Sequence, residues 1–527
     1  MPSLAGRISP IVGAALLALC TISPVLAQTG AGAAKQDAAN EQVIVTNKPN
    51  HASKVRNLFS RHFGKAKGDK LETTGSEVWS VPKEKAAWLK RRLEKLGAKV
   101  VTLRENWQHI LRRSKKDDVA LTPAQKAVVD KVAKMPETVN VGVLRMPDAA
   151  VAEHALTRFE QQVGTKGQAG PPEDRYAKVM LPLGETKDIT LVRKVPVVKT
   201  ERGVTWSGEV EETGERAVLM LWKDGHLSGY FGYNGRVFVV SHMGGDIHTM
   251  AEMDPGKLPP DHAPGSKGKS SDPANRDATT APAKPLPPPP EPAVAPFPDT
   301  QRLALEAKQI TIDVMLLYTN NAAKHYVRDP SDLLMLAIEQ ANETFRNSGL
   351  GNISLRLVHS QAIEYDEAGA NQFDHLYRMV DGEAPFQDLK KLRNEKRADI
   401  VGMIIDSPTG CGQSTRVGAE AEEAYFVVHH SCAAITYSIA HEVGHILGAR
   451  HDRVVDANDT PFPFAHGYIN GSKWRDMMSY RDGCGGCPRI PYWSNPRVMY
   501  KGEPTGTPAS DNARVILEQA ERVSKFR

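Results

Sequence analysis

Between positions 441 and 452 the chain reads HEVGHILGARHD, which brings three histidines, a glutamate and two glycines together. Imidazoles and a carboxylate at such spacing are groups that bind metals and move protons. Ala433–Leu447 reads as a helix with Ile435, Ile439, Val443 and Ile446 on one apolar stripe. His441 and His445 lie away from that stripe, one turn apart and about 40° from each other, so both imidazoles can face one ion. On a continued helix His451 would lie about 15 Å further along the axis than His441, beyond ligand reach. Gly448 removes that difficulty, because a residue that accepts positive φ can end the helix and turn the chain back under the ion. Three neutral imidazoles with a fourth position open describe a catalytic Zn2+ site. Zinc so held lowers the pKa of bound water towards about 7, and Glu442, beside His441, is placed to take that water's proton as general base. A polar helix with solvated histidines is the plain alternative, but it gives Gly448 and His451 no purpose.

The elements that must position these residues follow a Pro-, Ala- and Ser-rich stretch, Asp254–Asp299, which reads as an extended, protease-accessible linker. Beyond it come a nearly continuous apolar strand Ile312–Tyr318, a helix Ser331–Asn347, and a strand Ile353–Val358. A helical stretch Gln372–Glu395, interrupted near Pro385, then leads to strands Asp399–Ile405 and Ala424–Val428. This β-α-β-α-β order predicts an α/β sheet with helices packed on it. Before the linker, about 43–111 suggests a small α/β unit. About 178–253 reads as an antiparallel β meander, with Asp224-Gly225 and Asn234-Gly235 as turns.

The whole chain sets further bounds. Its 527 residues are too many for one core. A formal charge of +5 is small for this length, and the Lys/Arg excess is spread through Lys54–Lys134 with only scattered aromatics, so no nucleic-acid partner is expected. Residues 1–27 read as a secretory signal: Arg7, an apolar run Ile11–Leu19, then small residues before Gln28. That run is too short to span a bilayer and no later segment comes close, so no integral membrane segment is expected and the mature protein should be secreted, extracellular or periplasmic. Without Cys20, four cysteines remain and allow three pairings. Cys411 with Cys432 and Cys484 with Cys487 is favoured, since the second pair shares a tight CGGC turn and the first flanks one strand. Half of a zinc knuckle at Cys484–Cys487 lacks a second CxxC.

HExxHxxGxxHD followed by a methionine turn, here Met478 with Ser479-Tyr480, resembles the metzincin metalloproteases, and Asp452 after the third histidine is similar to the reprolysin, or adamalysin, branch. The resemblance covers roughly Lys308–Ser524 and extends more loosely to the meander, which is similar to reprolysin-type propeptides. It implies a metzincin-type catalytic domain over 308–527, with a mixed, mostly parallel twisted sheet, helices and a zinc helix. It also implies a propeptide region over 28–253, α/β plus antiparallel β, and a maturation site within the linker, 254–307. His441, His445 and His451 are then the metal ligands, Glu442 the base, and Met478 an apolar floor beneath them, with Met477 as a competing assignment. Tyr480, two places after the methionine, is similar to the astacin and serralysin branches, where such a tyrosine binds zinc or stabilises the tetrahedral intermediate. Asp452 is expected to position the site without touching the metal.

Substrates would be proteins or peptides, and the resemblance implies that an extended peptide adds antiparallel to the sheet's edge strand, matched here by Ala424–Val428. Past the methionine turn, Tyr492 and Trp493 favour an apolar pocket, whereas Arg489 and Arg497 leave open an acidic preference. His429 and His430, alternating along a strand, read as solvated. With no cysteine between Cys20 and Cys411, a cysteine switch is excluded, so the N-terminal region is expected to act as an intramolecular inhibitor or chaperone by occupying the cleft. The expected function is that of a secreted zinc endopeptidase made as a zymogen. The alternatives are a secreted zinc-binding or adhesive module without proteolysis, and a thermolysin-type protease with a downstream glutamate ligand.

Overall fold

A computed structural model describes residues 40–527 apart from 48, 65–67, 104–106, 115–119, 159–177, 194, 262–290 and 328–329. The signal expected over residues 1–27 therefore lies outside the described residues. The chain divides into two compact units, Met1–Lys70 with Gly75–Arg104, and Leu71–Thr74 with Glu105–Arg527.

In the first unit strand Asn40–Thr46 pairs antiparallel with Ser76–Pro82 on one side and Lys99–Thr102 on the other. Helices Ala52–Phe63 and Lys83–Lys95 bring Val55, Phe59, Leu89 and Leu93 onto Val43, Val45, Trp79 and Val100. The unit ends sooner than the expected 43–111. Ile110 and Leu111 are 2% and 1% exposed within the core of the second unit.

The second unit contains an antiparallel ten-stranded sheet. Its centre is the meander Gly203–Val210, Arg216–Trp222, Leu227–Tyr233, Arg236–Gly244 and Ile247–Met253. The meander is extended by Thr138–Arg145, a strand with no clear sequence signal because only Leu144 among its side chains is buried. One face of the sheet, through Val218, Met220, Trp222 and Tyr230, shares a core with Leu334, Ile338 and Phe345 of helix Ser331–Asn347. Arg216 and Glu343 form an ion pair across that contact, and the Tyr230 and Tyr437 hydroxyls lie 2.9 Å apart.

The residues after 308 form a five-stranded sheet in the order Ile353–Ile363, Ile310–Thr319, Ile400–Ile405, Tyr425–His429, Gly412–Ser414. The first four are parallel and Gly412–Ser414 is antiparallel to its neighbour. The edge beside the histidines is thus Gly412–Ser414, and the expected edge strand is paired on both sides. A three-residue strand without apolar alternation leaves no periodic trace, which is why the longer apolar neighbour was the legible one. The expected linker is ordered at both described ends. Pro255–Lys257 forms a turn of 3₁₀ helix, Asp299–Glu306 is a helix, and Phe297 is buried against the guanidinium groups of Arg497 and Arg514.

Candidate metal centre and cleft

The helix that carries the first two histidines is Ser438–Ile446, buried along its whole length. It begins later than the expected Ala433, because Tyr437 adopts a left-handed conformation (φ 60°) and the preceding turn is tied to the edge strand by the Cys411–Cys432 disulfide. Cys484 and Cys487 form the second disulfide. Gly448 adopts φ 98° and ends the helix, after which Arg450–Asp452 pairs with His466–Gly467. This turn brings His451 back to the helix. Its Nε2 lies 3.2 Å from Nε2 of His441 and 2.9 Å from that of His445.

The ring orientations test whether an ion fits. Nδ1 of His441 donates to the Met477 carbonyl at 3.1 Å, and Nδ1 of His445 donates to the Ala449 carbonyl at 2.9 Å. With the protons held there, the Nε2 lone pairs of His441 and His445 both point at Nε2 of His451, inside a site where all three residues are under 5% exposed. Three ring nitrogens converging in this way can give their lone pairs to one cation. A tetrahedral ion at about 2.0–2.1 Å from each nitrogen would space the nitrogens by about 3.3 Å. The residues present therefore fit a bound metal, and the second-sphere carbonyls that fix the tautomers are of the kind such sites use.

Glu442 lies with its carboxylate against the edge strand; a Cβ at Gly412 would come within 2.4 Å of Oε1. Ser414 donates to this carboxylate, but burial dominates and holds its pKa well above the usual carboxylate range. Met478 is fully buried, with Sδ 3.1 Å from where a Cβ on Gly444 would stand, so its sulfur lies under the metal helix. Met477 is equally buried and contributes the carbonyl that orients His441. Tyr480 places its ring 4.4 Å from that of His451, centroid to centroid. Asp452 reaches the same turn by another route, accepting from the Tyr480 backbone N–H at 3.0 Å and from Val454 N–H at 3.1 Å.

Asp476 has a part in the site that was not anticipated. Its carboxylate accepts from the backbone N–H groups of Met478, Ser479 and Ser494 and from the Ser479 hydroxyl, which shapes the methionine turn; burial pushes its pKa up to about 6. An aspartate two residues before the methionine carries no spacing signal of its own, and its role depends on Ser494 folding back onto it.

Several expectations about the surroundings are corrected. Trp493 is fully buried, bonds Thr344 Oγ1 through its indole N–H at 2.9 Å and packs behind Gly444, so it supports the helix from the core and does not line a pocket. Arg497 is engaged by Asp511 at 2.6 and 2.8 Å and lies over the Phe297 ring. His429 and His430 are 4% and 2% exposed, not solvated. His430 stacks on His325 at 3.9 Å, and the His325 ring nitrogen lies 3.0 Å from the Asp406 carboxylate, an arrangement made by strand ends and helix turns distant in sequence.

Comparison with known proteins agrees with this geometry. A family model of metallopeptidase family M12, of the reprolysin type, matches residues 308–494. A peptidyl-Asp metalloendopeptidase of Stenotrophomonas maltophilia strain R551-3 is 31% identical over 317 residues, 59% of this chain and 70% of that protein. One from Xanthomonas campestris pv. campestris is 30% identical over 304 residues, 57% of this chain and 67% of that protein. A third, from Pseudomonas fragi, is 38% identical over 99 residues, 18% of this chain and 62% of that protein. Three imidazoles converging behind a reprolysin-type match, and relatives of this extent, lead to one conclusion: the chain belongs to metallopeptidase family M12 and is a bacterial metalloendopeptidase of the reprolysin-like metzincin kind.

Proposed function

We propose that the chain is an exported, zinc-dependent endopeptidase, made with residues 28–253 as an inhibitory or chaperoning propeptide, and that it acts on peptides containing aspartate. The observation that carries the metal reading is the convergence of His441, His445 and His451 through Nε2, with both helix histidines fixed in the matching tautomer. The aspartate preference follows the printed names of the relatives and a guanidinium, Arg489, held on the methionine turn within reach of Glu442.

Zinc bound by the three neutral imidazoles would supply a Lewis acid and acidify a bound water towards about pH 7. The chain's own groups do the rest. Glu442 accepts the attacking water's proton and returns it to the departing amine, and a pKa raised by burial brings it nearer the pH at which one group can do both. Gly412 lets the carboxylate lie against the edge strand along which a peptide backbone can add. Tyr480, whose ring lies beside His451, is assigned to the developing oxyanion. Asp452 and Asp476 hold the turn that carries Tyr480. The two disulfides support export to an oxidising compartment, and among the described residues no helix is long and apolar enough to cross a membrane.

The test compares secreted wild-type protein with Glu442→Ala on casein and on peptides containing aspartate. The variant should keep one zinc per chain and lose proteolysis by roughly 10²–10⁴-fold. Turnover unchanged in Glu442→Ala would end this reading.

A further inference from the structure

Of the cationic side chains expected near the substrate, Arg489 is the one bonded to the methionine turn and to the residue two before the metal helix. Its side chain is 7% exposed. Nη1 donates to the Thr436 carbonyl at 2.8 Å, just before the metal helix, and Nη2 donates to the Ser479 carbonyl at 3.2 Å, in the methionine turn. Nε is buried and has no hydrogen-bond partner among the described residues. A second guanidinium, Arg475, donates to Ser479 O and Cys487 O beside it. Burial, and then the charge of Arg489, push Arg475 down to about 9. Two buried guanidinium groups side by side, bonded mainly to neutral carbonyls, need an anion, since an uncompensated buried charge is costly.

The chain itself supplies one. Asp261, at the described end of the segment that leaves the antiparallel sheet, places Oδ1 3.2 Å from Nη2 of Arg489. Its backbone is seated on the cleft's edge strand: Cys411 N–H donates to the Pro260 carbonyl at 2.7 Å and Gly412 N–H to the Asp261 carbonyl at 3.3 Å. Upstream, Arg481 Nη1 donates to the Pro255 carbonyl at 3.2 Å. Gly412 is the residue against which Glu442 lies, so Asp261 occupies ground next to the proposed base.

Resting on the proteolytic reading above, we propose that Arg489 is the residue that recognises an acidic side chain of the substrate, and that Asp261 fills this recognition site in the uncleaved chain as an internal competitor. The same need for a counter-charge explains both roles. While Pro260 and Asp261 are bonded at the start of the edge strand, Arg489 is satisfied by Asp261 and the N–H groups of Cys411 and Gly412 are taken. Once they leave, a buried guanidinium without its carboxylate and an unpaired strand edge open together, and a peptide carrying aspartate restores both interactions. No cysteine is needed for latency of this kind.

The experiment reads binding, so that it does not depend on turnover. In the full chain carrying Glu442→Ala, affinity is measured by fluorescence anisotropy for an extended peptide with a central aspartate and for the same peptide with asparagine. Adding Asp261→Asn, a nearly isosteric change, should tighten binding of the aspartate peptide by at least about tenfold and leave a preference for aspartate over asparagine of roughly 30-fold or more. Adding Arg489→Gln to that double variant should abolish the preference while the asparagine peptide binds as before, which also reports that the fold is intact. Equal affinity with and without Asp261→Asn overturns the internal competitor, and an undiminished preference for aspartate after Arg489→Gln overturns the recognition residue. Absence of proteolysis in the wild-type protein would instead strike the enzymatic reading and leave these two outcomes legible.

Discussion

The Asp452 carboxylate accepts the backbone N–H of Tyr480 at 3.0 Å, joining the residue after the third histidine to the methionine turn. Its other oxygen accepts from Val454 N–H, so both oxygens serve as acceptors of backbone donors. Burial pushes Asp452 up to about 7 against these bonds. Asparagine can accept at only one of the two positions, because its amide nitrogen is a donor. Asp452→Asn should therefore cost about 1–3 kcal/mol and weaken metal retention. Chelator competition and chemical denaturation measured together check this; metal affinity equal to wild type would show that Asp452 does not hold the site.

Tyr480 separates a metal role from an oxyanion role. The ring is almost buried beside His451, so Tyr480→Phe preserves the packing and removes only the hydroxyl. It should keep full zinc content and KM while kcat falls by roughly 10–10³-fold. A wild-type kcat would assign the hydroxyl a structural part only.

Gly448 should not tolerate a side chain. At φ 98° a side chain is strained, and a Cβ there would meet Val515 Cγ2 at 2.9 Å and the Phe462 ring at 3.1 Å. Gly448→Ala is expected to lose about 1–3 kcal/mol of stability and to lower metal affinity by moving His451. Urea denaturation with and without chelator measures both, and a stable variant that binds metal normally would contradict the proposed function of the turn.

Acid should weaken the antiparallel sheet through His248. This fully buried imidazole accepts Leu227 N–H at Nε2 (3.1 Å) and donates from Nδ1 to the Asp246 carbonyl, with His242 and His226 nearby. Burial, then the charge of His242, lower its pKa from 6.5 to about 3. The unfolded chain therefore takes up the proton first. Stability is full above pH 6.5 and falls as pH drops from there towards 3, by an amount on the order of a few kcal/mol. His248→Gln should flatten that slope. Parallel slopes of denaturation midpoint between pH 7.5 and pH 4.5 for the two proteins would refute it.

What could be read from the linear chain was whatever repeats at a fixed local spacing. His441 and His445 are one helical turn apart whatever surrounds them, Gly448 is the one residue type that turns there without strain, and the apolar strands from Ile312 to Ile405, alternating with helical stretches, announce an α/β sheet by their order. Pairing within Cys484-Gly-Gly-Cys487 is equally local. Other features depended on contacts between residues far apart. The edge strand Gly412–Ser414 is defined by its neighbour and not by its own pattern. Trp493 reads as a pocket wall until Gly444 is seen to leave room for it in the core, and Arg497 reads as a free cation until Asp511 takes it. Asp261 lies in a segment whose composition suggests only a linker. Its meaning comes from Arg489, 228 positions later (489 − 261), because a buried charge selects its partner by three-dimensional proximity, and sequence distance does not encode that.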